Sequence, residues 1–500
     1  MSLSDLATRV EGLEGDVNTG WTLVAGALVF FMQAGFTFLE SGFVKRRNIQ
    51  SILMKNIIDA SMAAIAWWWL GFGLAFGEDS GEIENSAGVK FPGGGFAGTS
   101  YFAPSVTDFT KADPVGSGPK RTMTDWFFQY TFCATAATIV SGGVAERCQL
   151  RAFAIMSFFL TLIFYPLVVH WTWGDGFLAH LADNKDHDSF GNGFVDFAGS
   201  GVVHMFGGFA ALMGAIICGP RYGRFEPGRE DDFAPSNMLY IVVGAFILWF
   251  GWYGFNAGST VALAGGVSVV ASRCAMNTAL SAAFGSVASF GLSYARVGKF
   301  EITAFANGIL GGLVSITAGC ASVDTWNAML IGIIGGLVVE AISQLLVKLK
   351  IDDPVGAFPV HGACGVWGVI AVGLFDDRKG AFYGEPVYKA LGPNITGIIC
   401  IALWSMATSG ATFGALRAVG FLLVDPEDQV AGLDSKEFSS QRLESKEMQR
   451  AVAAKLAGAA LAAEQNDVKG VVELPEVVVD TVPVAGQVVE ETPAVEATEV

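Results

Sequence analysis

Residues 196–221 read DFAGSGVVHMFGGFAALMGAIICGPR. Nearly every side chain in this stretch is small or apolar, yet His204 stands in its middle. Surrounded by water-soluble structure it would be an ordinary core histidine; inside a membrane it would be a costly group that marks function. The surrounding solvent therefore decides its meaning.

The 500-residue chain is 52% hydrophobic and only 15% charged, with 63 glycines and a mean hydropathy of +0.48. This is the composition of a membrane protein. Crossing about 30 Å of hydrocarbon takes roughly 20 apolar residues, and eleven such stretches recur: about 21–43, 53–76, 124–144, 150–171, 198–219, 237–256, 267–294, 302–318, 326–348, 357–375 and 395–424. The expected fold is an all-α polytopic membrane protein of eleven transmembrane helices. Residues 1–20, MSLSDLATRVEGLEGDVNTG, are polar and lack the apolar core of a signal peptide, so they read as a short extracellular N-terminus. Basic residues gather in the short connections after spans 1, 3, 5, 7 and 9, as in Lys45-Arg46-Arg47, Arg147/Arg151 and Arg221/Arg224/Arg229. Because Lys and Arg favour the cytoplasmic side, the N-terminus is expected outside and the C-terminus in the cytoplasm, with the plasma membrane as host. Acids such as Glu78, Asp79, Glu82 and Asp175 in the outer loops would mildly attract cations. The seven cysteines fall in or beside spans and read as small packing residues, with no disulfide framework.

After the membrane domain of residues 21–424 the character changes. Residues 425–466 read as a cytoplasmic regulatory tail in which RAVAAKLAGAALAAEQ (450–465) favours a short helix. Residues 467–500 are mostly Val, Glu, Pro and Thr, too acidic and proline-broken to build a core, and read as disordered. That tail supplies part of the net charge of −17.

The chain also repeats itself. Asp196 precedes His204 by eight residues in span 5, and Asp353 precedes His361 by eight in DPVGAFPVHGACG, five spans later. Spans 1 and 6 share a Gly-Phe pair, Gly35-Phe36 and Gly254-Phe255. Since five is odd, the halves must lie in opposite orientation: two inverted five-helix repeats plus an extra C-terminal helix, with a substrate path near the midplane. If each Asp opens its helix, eight residues at 1.5 Å carry the histidine about 12 Å inward, where the two would meet near the pseudo-twofold axis. Gly199, Gly201, Gly207, Gly208, Gly362 and Gly365 would leave room for a narrow pore while also packing helices.

A second cluster is aromatic. Phe128 and Phe132 are four apart and share a helix face. Trp173 closes span 4, and Phe255 and Ser259 close span 6 at the same level. Singly these are membrane anchors; together they make a cup whose π faces attract a cation and whose hydroxyl accepts from an N–H donor. Energetics select the cation. Taking a unit charge into a low-dielectric medium costs on the order of 20 kcal/mol before relaxation. An amine with a pKa near 9 to 10 loses its proton at pH 7 for roughly 3–4 kcal/mol. Potassium has no proton to lose, so a cup above two neutral histidines suits ammonium. Paired haem ligation by the histidines would need a second ligand pair and a basic propionate clamp, which the sequence does not offer. No cofactor, no enzymatic activity and no nucleic-acid partner is expected.

These residues resemble the ammonium transporter family (Amt/Mep, with the Rhesus glycoproteins as distant relatives) over about residues 20–440. DFAGSGVVHMFGGFAALMGAIICGPR looks like the family's diagnostic segment, and GWYGFNAGS, TIVSGGVAER and DDPVGAFPVHGACG are similar to others in the same order. FFMQAGFTFLESGFVKRRN is most like the plant-type branch. The resemblance implies a recruitment site at Phe128, Trp173 and Ser259, with Phe132 beside it, and a gate of stacked Phe132 and Phe255. It further implies a hydrogen-bonded pair of pore histidines, His204 and His361, and a structural and vestibule role for Asp196. It also implies a homotrimer with one pore per subunit and a tail that docks on its neighbour. PEDQVAGLDSKEF (426–438) resembles the start of that tail, with Gly432 and Asp434 in place. The His-Gly-aromatic continuation is missing, so a kinase or regulator acting at Ser435, Ser439 or Ser440 is left open. Two other functions fit the same residues: an ammonium-sensing receptor with little flux, and a Rhesus-like gas channel that needs no cup.

Overall fold

In the computed structural model the described residues are 2–84, 90–111, 122–181 and 193–438. Among them eleven long helical segments follow the eleven expected spans in order: α1 (Leu3–Phe43), α2 (Arg46–Phe76), α3 (Met123–Gly143), α4 (Leu150–Trp173), α5 (Ser200–Cys218), α6 (Met238–Asn256), α7 (Ser268–Val297), α8 (Ile302–Thr317), α9 (Thr325–Lys348), α10 (Phe358–Phe375) and α11 (Val387–Ala418). Eight segments are long and apolar enough to cross a membrane, and α8 is a shorter apolar helix. The two that fall short, α3 and α7, owe their low hydropathy to polar side chains turned into the bundle. Thr131, Thr135, Thr138 and Ser141 of α3 and Asn277, Thr278, Ser281 and Ser289 of α7 are all buried. Small hydroxyl residues let helices approach closely and bond across the contact, as Ser281 Oγ does to the Gly312 carbonyl at 2.7 Å.

The packing repeats. The first helix of each half packs on the third, the second on the fourth and the third on the fifth, in α1–α5 as in α6–α10. The halves join where α1 lies along α6, and where α5 and α10 each pack against the other's beginning. Helix α11 closes over α5 and α10.

Four features differ from expectation, one being the start of α2 at Arg46 where about 53 was expected. Helix α1 begins at Leu3, not near Trp21, because Ser2 and Asp5 form a reciprocal capping box that starts a helix at once. Helix α11 runs 387–418 where 395–424 was expected. Its first turns carry Lys389 and Asn394, which depress hydropathy, yet Asn394 is buried and bonds the Val369 carbonyl and the Val195 N–H. Between α2 and α3 a two-stranded antiparallel hairpin, β1 (Glu82–Glu84) and β2 (Lys90–Pro92), stands in a loop where no strand was expected. The readings of 450–465 as a helix, of 467–500 as disordered, and of Ser439 and Ser440 lie outside the described residues.

Candidate functional site

The site is built from two similar turns. Before α5, Asp196 turns its carboxylate onto the helix start: Oδ1 accepts from the Gly199 and Ser200 N–H groups at 2.9 Å, and Oδ2 from Gly201 (2.8 Å) and Val202 (2.9 Å). These are the donors a helix start leaves without intrahelical partners. The turn requires φ of +111° at position 199, which glycine adopts freely. Before α10, Asp353 accepts from Gly356 (3.1 Å), Ala357 (3.0 Å) and Phe358 (2.8 Å), with Gly356 at φ +77°. Both helices then open in a π-helical turn, Ser200–Met205 and Phe358–Ala363, and each histidine sits in that turn.

The eight-residue spacing therefore has a different meaning from the one expected. Residues 197–199 bend rather than wind, and His204 is only the fifth residue of its helix. The twelve-ångström helical run does not exist; the bend and the wide turn bring the ring inward. His204 Nδ1 and His361 Nδ1 are 3.3 Å apart, one donating and the other accepting, so at least one ring must offer a lone pair. The rings lie 5.3 Å apart at 23°. His204 lies against both Trp252 (4.8 Å) and Phe255 (5.1 Å), whose rings are themselves 5.6 Å apart, and Phe36 lies 5.9 Å from His361. Both histidines are buried, and among the described residues His204 Nε2 has no hydrogen-bond partner.

The named glycines do not open a pore. A Cβ on Gly208 would lie 2.1 Å from the Gly362 nitrogen, one on Gly365 would lie 2.5 Å from the Ser200 carbonyl, and one on Gly207 would lie 2.8 Å from the Ala136 carbonyl. They draw α3, α5 and α10 together; aromatic rings and the histidines fill the space between.

On one side of the pair, Phe255 stacks on Phe132 at 4.1 Å, and Phe132 meets Phe128 at 4.7 Å and Trp173 edge-on at 6.1 Å. Beyond them opens a cavity of about 260 Å³ lined by Phe128, Phe132, Trp173 and Ser259. The structure thus brings all the expected aromatic residues together. Ser259 Oγ donates to the Phe255 carbonyl at 2.8 Å, which leaves its lone pairs to the cavity. Trp173 donates its indole N–H to the Asp196 carbonyl at 2.9 Å, so the cavity wall and the α5 turn are one construction. Sequence reading missed Asp125 and Gln129, which also line the cavity. A signal existed: both lie on the helix face bounded by Phe128 and Phe132, and Thr122-x-x-Asp125 is a capping box. On the other side, beneath His361, the space narrows to about 10 Å³ among Phe36, Leu39, Ile139 and Val360.

Two further devices frame the site. His170, near the end of α4, is buried and bonds the Ala75 carbonyl through Nδ1 (3.0 Å) and Asp79 through Nε2 (2.9 Å). Asp79 also takes the Gly95 N–H at 2.9 Å, clamping the hairpin loop. At the opposite end Arg221 binds Asp352 in bidentate fashion (2.8 and 2.9 Å) and also pairs with Glu146. Burial would raise both carboxyls, but the Arg221 guanidinium outweighs it, holding Asp352 at about 2 and Glu146 below its ordinary value. The tail docks beside them as α12 (Pro426–Ala431) and α13 (Leu433–Glu437). Asp434 caps α2 by accepting from Gln50 (3.0 Å) and Ser51 (2.9 Å), and Asn48 Oδ1 takes the Leu433 N–H at 2.9 Å.

The model of the Ammonium Transporter Family matches residues 20–442. The chain is 37% identical to ammonium transporter Amt2 of Archaeoglobus fulgidus over 447 residues, covering 87% of this chain and 89% of that one. It is 34% identical to ammonium transporter 1 member 3 of Solanum lycopersicum, covering 84% and 91%. Among solved structures, a sensor Amt protein superposes with a TM-score of 0.74 at 32% identity, covering 86% of this chain and all of that one. Candida albicans Mep2 superposes with a TM-score of 0.70 at 26% identity, covering 83% and 87%. The chain is a multi-pass membrane protein and belongs to the ammonium transporter family, whose members carry a substrate across the membrane and are not enzymes.

Proposed function

We propose that this protein recruits ammonium in the cavity bounded by Phe128, Phe132, Trp173 and Ser259, takes its proton there, and passes ammonia between Phe132 and Phe255 along the His204–His361 pair. The observation that carries the reading is the unbroken stack from cavity to histidines: Phe132 on Phe255, Phe255 on His204, His204 bonded to His361. A stack this close leaves no room for a hydrated ion. A bare cation would face a cost on the order of 20 kcal/mol before relaxation, whereas ammonium escapes it by shedding a proton for roughly 3–4 kcal/mol. Asp125 and the Gln129 oxygen add negative potential at the cavity. The histidines relay the proton or conduct it separately from ammonia. Asp196 holds the α5 turn to which Trp173 is tied and contributes to the potential at the vestibule.

The same reading takes the assembly as a homotrimer in the plasma membrane, N-terminus outside, with residues 21–424 as the transport domain and 425–466 as a cytoplasmic tail open to a regulator. A second reading, sensing with little flux, is favoured by the likeness to a solved sensor Amt protein. Reconstitution separates the two: ¹⁵N-ammonium uptake together with current is expected, while binding with negligible uptake would establish the sensor. The mechanism itself is tested by His204→Asp, which puts a charge in the dry stack. This variant is expected to admit potassium or to lose selectivity for ammonium; unchanged exclusion of potassium with intact ammonium transport would sink the neutral-passage account.

A further inference from the structure

Lys45-Arg46-Arg47 joins α1 to α2 and forms one wall of a cleft of about 500 Å³. The other walls come from the α5–α6 connection, which contributes Arg221, Arg229 and Phe233, and from the tail helix α12, which contributes Gln429 and Val430. Five cations thus surround the space against two carboxylates, Glu146 and Asp232. Both carboxylates are already engaged: Glu146 pairs with Arg221, which also holds Asp352, and Asp232 pairs with Arg229 at 3.0 Å. Among the described residues Lys45, Arg46 and Arg47 form no salt bridge, and Arg47 Nε is buried without a hydrogen-bond partner.

Phe233 holds two of the cations in place without neutralising them, with Lys45 Nζ 4.2 Å and the Arg221 guanidinium carbon 5.0 Å from its ring centroid. Burial, joined by the charges of Arg47 and Arg221, pushes the Lys45 ammonium below its ordinary value even though Glu146 and Asp232 act the other way. The cleft therefore carries positive charge that the chain does not balance. Two guanidinium forks and an ammonium on consecutive residues match a phosphate better than a carboxylate. A phosphate monoester presents three terminal oxygens and close to two negative charges, and arginine meets its oxygens in pairs. The volume leaves room for the group that the phosphate esterifies.

We propose that this cleft binds a phosphate monoester through Lys45, Arg46 and Arg47, and that the bound ester ties the tail to the membrane domain. Arg47 backs directly on the tail: a Cβ on Gly432 would lie 2.6 Å from Arg47 Cβ, and the next N–H, that of Leu433, is held by Asn48. A ligand that orders Arg47 while touching Gln429 or Val430 closes over that contact. Because the basic turn directly follows a membrane helix, a lipid headgroup and a soluble phosphate ester offer it the same chemistry. This inference does not depend on what the pore conducts.

The test uses the full chain in phosphatidylcholine nanodiscs, titrated with glycerol 3-phosphate as probe and read by calorimetry. Saturable binding is expected, at least tenfold weaker in Arg46→Ala/Arg47→Ala and unchanged in Lys348→Ala/Lys350→Ala, which removes two cations outside the cleft. Val430→Trp, which fills the cleft and keeps every charge, is expected to weaken binding as much. Absence of saturable binding, full affinity in either cleft variant, or an equal loss in the Lys348/Lys350 variant would overturn the proposal. Nanodiscs containing phosphatidic acid, a monoester, are then compared with nanodiscs containing phosphatidylglycerol, a diester. Weaker probe binding in the first alone assigns the site to a headgroup; equal binding in both assigns it to a soluble ester, and either outcome supports the site. Bound probe is also expected to slow tryptic cleavage after Lys436 at least threefold, and an unchanged rate would overturn the tie to the tail.

Discussion

The turn before α5 and the turn before α10 meet the same demand with the same residue but are pinned by different chemistry. Each uses an aspartate to satisfy the first N–H groups of a helix, four of them at Asp196 and three at Asp353. The α5 turn is then held by an indole: Trp173 donates to the Asp196 carbonyl while its ring faces the cavity. The α10 turn is held by ions: Arg147 donates to the Asp352 carbonyl at 2.6 Å, and Asp352 in turn grips Arg221. What repeats is the requirement imposed by hydrogen bonding at a helix start. What differs is the pin, aromatic where the neighbour is the cavity of about 260 Å³ and ionic where the neighbour is a polar cleft of about 500 Å³ near the tail.

The largest expected effect tests the count of donors. Each buried N–H left without a partner costs about 1–3 kcal/mol. Asp196→Ala, which orphans four, should therefore lose more than about 4 kcal/mol, a large share of a total stability of about 5–15 kcal/mol. Asp353→Ala orphans only two, because the Gly356 N–H also donates to the Asp353 backbone carbonyl at 3.3 Å, and should lose less. Yield of monodisperse protein and melting temperature in detergent compare the two, and equal losses would remove the distinction.

Acid should loosen the ionic pin next. Asp352 sits at about 2 in the folded chain against an ordinary 3.8. A carboxyl depressed by folding contributes stability that is complete above about pH 4 and drains away as pH falls toward about 2. The loss expected over that window is about 2–3 kcal/mol. A melting temperature flat from pH 8 to 4 and falling below that is the signature, and Asp352→Asn should erase the fall.

The smallest effect concerns the aromatic pin. Replacing Trp173 with Leu removes a cation–π contribution of about 1–2 kcal/mol, which corresponds to roughly tenfold weaker half-saturation by ammonium. Unchanged affinity would say that the cavity does not bind the cation and would favour a gas conduit.

Much of this was legible in the chain because hydrophobic length and periodic polarity are local properties. The eleven helices, the Asp–His repeat and the face shared by Phe128 and Phe132 could be read from spacing alone. The start of α1 at Leu3 was legible too, through Ser2 and Asp5, but the polarity of residues 1–20 masked it. Asp125 and Gln129 were passed over because their side chains gain meaning only when α4 and α6 complete the cavity.

The sequence by itself determined which segments are apolar enough to span a membrane and which residues break that apolarity, since transfer from water depends on composition and length. Only the tertiary structure decided that the glycines close the helices together instead of opening a channel, and that residues 197–199 bend. It also decided that two π-helical turns bring nitrogens 157 residues apart to 3.3 Å. Those outcomes depend on the direction in which a helix starts and on what its neighbours leave vacant, and no local pattern encodes either.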